Sequence, residues 1–145
     1  MFNVRVYGIY EQQGRILVSD ERIKGQRITK FPGGGLQEGE GTRDCLIREW
    51  DEELHQRVAI GDHLYTTDFY QQSGFGDGSQ VIAIYYAVHP LEPLQVPLAE
   101  EPFVFRSEKP EAESFRMIPW DRFSESDLSL PIDRIVARMI IKGRR

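Results

Sequence analysis

The chain has 145 residues, 40% of them apolar and 28% charged, the size and composition of one globular domain with a real core. A net charge of −5 gives no general electrostatic basis for binding nucleic acid or a membrane surface. The single cysteine, Cys45, excludes an internal disulfide and fits a reducing, cytoplasmic setting; no run of signal-peptide or membrane-spanning length is expected to act as one.

Phe2 to Tyr10 alternates and is rich in Val, Ile and Tyr, which predicts a strand. Glu11 to Gly14 reads as a turn, Arg15 to Ser19 as a second strand, Asp20 to Gln26 as a charged loop, and Arg27 to Phe31 as a short strand stopped by Pro32. After the glycines at 33, 34 and 35, Thr42 is the expected N-cap of a helix that runs to about His55. Val58 to Ile60 reads as a short strand or helix exit, and His63 to Gln71 as a strand. Gln72 to Ser79 is a glycine-rich connection in which Phe75 and Asp77 are candidates to reach a ligand. Gln80 to His89 is nearly continuous in apolar residues, the mark of a strand buried on both faces.

Leu91 to Glu101 is proline-rich and loop-like, Phe103 to Phe105 a short strand, and Ser107 to Glu113 a charged loop. Phe115 to Trp120 is the last strand. Ser129 and Pro131 open a final helix whose Ile132, Ile135, Val136, Met139 and Ile140 form a core-facing stripe. The basic tail Lys142-Gly143-Arg144-Arg145 reads as favourable charge at a helix C-terminus. Two helices among many strands predict an α/β (α+β) domain with a mixed sheet covered by helices.

Chemistry concentrates in Gly34 to Gln56, GGLQEGEGTRDCLIREWDEELHQ. At about 100° per residue, Glu49, Glu52 and Glu53 share an arc of roughly 100°, with Leu46, Ile47, Trp50 and Leu54 opposite. Three carboxylates at i, i+3 and i+4 repel one another by a few tenths of a kcal/mol per pair. A hard divalent cation offsets that cost, because magnesium and manganese prefer carboxylate oxygen. Arg48 can neutralise or orient one carboxylate, and bare glycine backbone can approach a metal or phosphate. Cys45 reads as a small, partly buried side chain, and His55 as a helix-end residue.

Gly34, Glu40, Arg48-Glu49-Trp50 and Glu52-Glu53 resemble the Nudix box, G-x5-E-x7-R-E-U-x-E-E-x-G-U, with U a bulky apolar residue. Six charged or glycine positions match; by chance this has odds of about one in ten million per window at typical residue frequencies. The pattern breaks at the helix exit, where His55 replaces glycine and Gln56 an apolar residue. The resemblance implies one Nudix domain over 1–145, an α/β/α sandwich, and hydrolysis of the diphosphate linkage of a nucleoside diphosphate joined to another moiety. It implies Mg2+ or Mn2+ held by Glu49, Glu53 and Glu52, with the Gly34 carbonyl completing the shell. Arg48 would orient a glutamate, and Glu40 would hold the loop at the helix start. The general base is open between Glu52, Glu53 and the Glu111/Glu113 loop, which is also a candidate source of an extra ligand. The implied partner is a small nucleotide-type substrate, with a homodimer through Leu91–Phe105 as an option. Three other readings compete: a Nudix-fold sensor that binds without cleaving, an isoprenoid-diphosphate isomerase, and an acidic structural helix. The clustered acids argue against the first, the setting of Cys45 against the second, and the glycine run against the third.

Overall fold

The structure, a computed structural model, describes residues 1–143; Arg144 and Arg145 of the basic tail lie outside the described residues. In chain order the elements are β1 (Phe2–Ile9), β2 (Glu11–Gln12), β3 (Arg15–Ile23), β4 (Gln26–Lys30), β5 (Gly33–Gly35), α1 (Thr42–Leu54), β6 (Val58–Thr66), β7 (Gln80–Pro90), β8 (Ala112–Pro119) and α2 (Pro131–Gly143). This is the expected α+β class, and its strands divide between two sheets. The chain forms two compact units, one from Met1–Tyr10 and Pro32–Val96, the other from Glu11–Phe31 and the stretch that starts at Pro97. No helix among the described residues is long and apolar enough to cross a membrane.

In the first unit the strand order is β5-β1-β7-β6. β1 and β7 run parallel, whereas β5 and β6 pair antiparallel to their neighbours, so the sheet is mixed. β7 lies between β1 and β6, and its consecutive Tyr85 and Tyr86, which point to opposite faces, are both buried, in keeping with its apolar run. The three glycines are themselves a short edge strand, with Gly34 opposite Val6 and Gly35 opposite Arg5. α1 buries Leu46, Trp50 and Leu54 completely or nearly so, each worth about 1.5–3 kcal/mol over exposure. Ile47, expected on that apolar side, is 41% exposed.

The large Trp50 fits because of Gly8 on β1. A Cβ there would come within 2.9 Å of the Trp50 indole nitrogen and 2.5 Å of a Val88 methyl carbon. Gly41, not Thr42, is the N-cap of α1 and gives no side-chain cap; Thr42 is instead bonded to the Tyr86 hydroxyl at 2.7 Å. His55 ends the helix in the left-handed region, φ 52° and ψ 42°, and its N–H bonds to the Asp51 carbonyl. β6 starts at Val58 and stops at Thr66, so residues 67–71, expected in a strand, fall outside it.

In the second unit β3 pairs with β2, β4 and β8. Asp20 to Ile23, expected in a loop, continue β3. The reason is tertiary: buried Asp20 accepts from Thr29 Oγ1 at 2.7 Å and from both Nε and NH2 of Arg116, at 2.6 and 3.2 Å. Lys24 and Gly25, both at positive φ, make the tight turn into β4. Phe103 to Phe105 is not a strand; Phe103 sits at φ 61°. Ser129 Oγ accepts the Thr29 N–H at 2.9 Å. α2 buries Ile132, Val136 and Ala137. Its buried face turns toward Asp133, which accepts the Phe31 N–H at 3.2 Å, and Met139 is left exposed.

Candidate active site

The site is built in the first unit from β5 and α1. Gly34 on β5 faces α1, and a Cβ at that position would come within 2.5 Å of both Glu49 carboxylate oxygens. Only glycine lets a carboxylate rest against this backbone. Gly33 is fixed differently: its φ is +153°, and a Cβ would strike the Val6 carbonyl oxygen.

Arg48 is the hub. Its Nε and NH2 form a fork on Glu40, at 3.0 and 2.7 Å. NH1 donates to Glu49 Oε1 at 3.1 Å and to Glu52 Oε2 at 3.2 Å, and NH2 also donates to the Gly35 carbonyl at 3.0 Å. A guanidinium has five N–H donors, and all of them are engaged here, with NH2 also reaching Cys45 Sγ at 3.7 Å. Glu40 also accepts the Gln37 N–H at 2.9 Å, so it ties the loop before α1 to the helix. The Arg48 fork, and then the Gln37 N–H, hold the Glu40 carboxyl down at about 2. The same carboxylates push the Arg48 guanidinium further up. Cys45 is buried beside this hub, its thiol 3.5 Å from the Gly35 carbonyl. Burial first, and the Glu40 charge second, push it up to about 12.

The predicted carboxylates differ in exposure. Glu49 is 12% exposed, Glu52 is 57% exposed, and Glu53, one turn beyond Glu49, is half-buried with Oε2 shielded from solvent. Among the described residues no three His, Cys, Asp or Glu side chains converge as a ready-made metal cage. Arg48 supplies the counter-charge, gathering Glu40, Glu49 and Glu52 around itself. The donor set nonetheless suits a hard divalent cation. Glu49 and Glu53 project from successive turns, and Glu49 lies in the cradle that a Cβ on Gly34 would fill.

The other predicted residues are on other segments of the chain. Asp77 Oδ1 accepts from Ser79 N at 2.9 Å and from Ser79 Oγ at 2.7 Å, and the Phe75 N–H bonds to Ser73 Oγ at 3.3 Å. Both therefore help shape the 72–79 loop. Glu111 and Glu113 belong to the second unit. Glu111 is exposed before β8, whereas Glu113, expected in the loop, is within β8 opposite Glu21.

Sequence reasoning passed over Gly8, whose signal was a glycine inside an alternating strand. It also passed over Arg5, a charge between Val4 and Val6 on β1, whose NH1 lies 3.3 Å from where a Cβ on Gly35 would sit.

The family model described as the NUDIX domain matches residues 1–139. A comparison with curated protein sequences finds no match. Solved structures share the fold at low identity. A NUDIX hydrolase from Nitrosomonas europaea aligns with a TM-score of 0.72 and 17% identity, over 100% of this chain and 92% of that one. The ORF135 protein of E. coli aligns at 0.70 and 19%, over 99% and 93%. An ADP-ribose pyrophosphatase from Streptococcus suis aligns at 0.62 and 13%, over 99% and 92%. With the box geometry in place and the domain model covering nearly the whole length, the chain belongs to the NUDIX domain family.

Proposed function

We propose that residues 1–145 work as one NUDIX domain that hydrolyses the diphosphate linkage of a nucleoside diphosphate joined to another moiety, with Mg2+ or Mn2+ as cofactor. The observation that carries this reading is the Glu49 carboxylate seated against the bare backbone of Gly34, with Glu53 on the next turn. Support comes from the family and from related folds described as an ADP-ribose pyrophosphatase and a UDP-X diphosphatase. The single buried thiol of Cys45 suits a reducing, cytoplasmic setting.

Glu49 and Glu53 would hold the metal, with Glu52 and the Gly34 carbonyl completing the oxygen set. When bound, such an ion neutralises phosphate oxygens and lowers the pKa of attacking water. Arg48 orients the carboxylates by charge-assisted hydrogen bonds and keeps them from drifting apart while no ion is held. Glu40 anchors Arg48 and the loop start. Glu52, the most exposed of the three, and Glu53 are the box candidates for general base, with Glu111 and Glu113 the candidates from the other unit. Phe75 and Asp77 are candidates for substrate contact from their loop.

The test is nucleotide or phosphate release from nucleoside triphosphates, ADP-ribose, dinucleoside polyphosphates, sugar nucleotides and capped-RNA analogues, with Mg2+, Mn2+ or EDTA. Metal-dependent cleavage is expected, and Glu53→Gln should lower turnover by orders of magnitude while melting normally. Tight binding without cleavage of any compound would replace the hydrolase by a sensor. Unchanged turnover in folded Glu53→Gln would remove Glu53 from the ligand set.

A further inference from the structure

We propose that Arg22 and Arg27 form a binding site for a phosphate-bearing anion at the tip of the β3–β4 hairpin, in the second unit. This goes beyond the hydrolase reading and does not depend on it. The tip reads RIKGQR from Arg22 to Arg27, three cations and no acid, in a chain whose net charge is −5.

Register brings the two arginine stems together. Arg22 and Arg27 are direct antiparallel partners, so their side chains leave the same face of the hairpin with Cβ atoms about 4.5–5.5 Å apart. Like charges in that position repel. The turn holds them there: Lys24 and Gly25, at φ 49° and 78°, form a two-residue connection that matches the twist of the strands and fixes the pairing.

Each guanidinium has an aromatic platform from the same unit. The Arg22 Cζ lies 4.8 Å from the Phe105 ring centre, and the Arg27 Cζ 5.7 Å from that of Phe103. The two ring centres are 6.3 Å apart. Phe103 sits at φ 61°, an unusual backbone for a bulky residue, and conformations of this kind gather at ligand clamps. A guanidinium on a ring face keeps its N–H edge for a ligand, and its place is set before the ligand arrives.

The hairpin's own acids are neutralised by other residues. Asp20, two residues before Arg22 on the same face, is buried and accepts from Nε and NH2 of Arg116. Glu21, on the opposite face, pairs with Lys30. Glu100, Glu101, Glu108 and Glu111 belong to the same unit, yet Arg22 and Arg27 form no ion pair with any of the described residues. Arg22 donates from NH1 to the Lys109 carbonyl at 3.1 Å, and Arg27 is exposed. Two adjacent positive charges without a carboxylate take their counter-charge from outside the chain. A phosphate monoester fits, because it carries close to two negative charges at pH 7 and its oxygens accept forked N–H donors.

The probe is inorganic phosphate, added with EDTA so that no metal contributes, and followed by 1H–15N spectra at constant ionic strength in chloride. Saturable shifts should gather at residues 22–27 and 103–105. Arg22→Gln and Arg27→Gln should each weaken phosphate by about 10-fold or more, the range for losing a charged hydrogen-bond partner. Arg27→Lys should recover part of the loss, and acetate should bind more weakly than phosphate. No saturable shift at the tip of the wild type would overturn the site, as would wild-type affinity in both folded glutamine variants. Acetate bound as tightly as phosphate would overturn it too, by reducing it to a general basic patch. If Arg27→Gln melts early, Arg27→Lys decides: wild-type affinity there overturns the forked contact, and weakened affinity supports it. The source of the phosphate is read with the compound cleaved in the panel. A KM raised in Arg27→Gln, with inorganic phosphate competitive, would make the anion part of the substrate. An unchanged KM, with phosphate bound alongside substrate, would make it a free phosphate effector; either result keeps the site. A protein that binds phosphate at the tip but cleaves nothing would bring down the hydrolase reading and leave this site standing.

Discussion

Gly34→Ala separates catalytic geometry from stability. The new Cβ would sit 2.5 Å from both Glu49 carboxylate oxygens, a separation at which one group must move. The obstacle is the far end of a flexible side chain, and Gly34 has no positive φ, so Glu49 yields and the backbone stays. Swinging Glu49 away breaks its 3.1 Å bond from Arg48, worth about 0.5–1 kcal/mol for a part-exposed pair. Replacing glycine by alanine returns about 0.4–1 kcal/mol through the unfolded chain. The two nearly cancel, so Tm should move by no more than about 3 °C at this size. Turnover should not escape: misplacing a reacting group by about 1 Å costs on the order of 100-fold. The assay is initial rate against metal concentration, paired with a thermal melt. A fall in kcat of about 100-fold with a raised metal requirement and an intact melt is expected. A kcat within about threefold of wild type would refute the cradle. Gly33→Ala is the control, because there the clash is with the Val6 backbone carbonyl at φ +153°. It should cost about 1–3 kcal/mol of stability and lower Tm visibly.

His55→Gly should raise Tm by about 2–4 °C, because a side chain in the left-handed region costs about 1–2 kcal/mol and glycine gives back about 0.5–1 through unfolded-state entropy; a lowered Tm would mean that the His55 side chain stabilises the helix end. Cys45 should resist iodoacetamide at pH 8 in the native protein and react rapidly in urea, since burial pushes its thiol up to about 12; equal rates in both would place it at the surface. Glu40 is held at about 2 against an ordinary 4.5, so its contribution to stability is complete above about 4.5 and is lost as pH falls toward 2. The stability gap between wild type and Glu40→Gln, measured by urea unfolding, should therefore shrink from pH 5 to pH 2, and a gap that grows with acid would refute the assignment.

What could be read from the chain alone is what its local chemistry dictates. The box helix was legible because three carboxylates, an arginine and a glycine at fixed spacing constrain one another within a few turns. Its start differs by a residue because caps are settled by partners: Thr42 turns to Tyr86 and leaves Gly41 as N-cap; its end falls at His55 as expected, in the left-handed position where the box pattern has glycine. The polar run from Asp20 reads as a loop because nothing local shows that Arg116, ninety-six residues away, neutralises Asp20 inside a sheet. Glu113 followed the same error, because β8 starts early by pairing with that extended β3. Gln56, at the box position of an apolar residue, is buried and donates to the Glu92 carbonyl at 2.9 Å, a substitution that only a distant acceptor can make tolerable. Register sets Arg5 on one strand beside the bare Gly35 on the next, and register is the property that a linear reading reaches last.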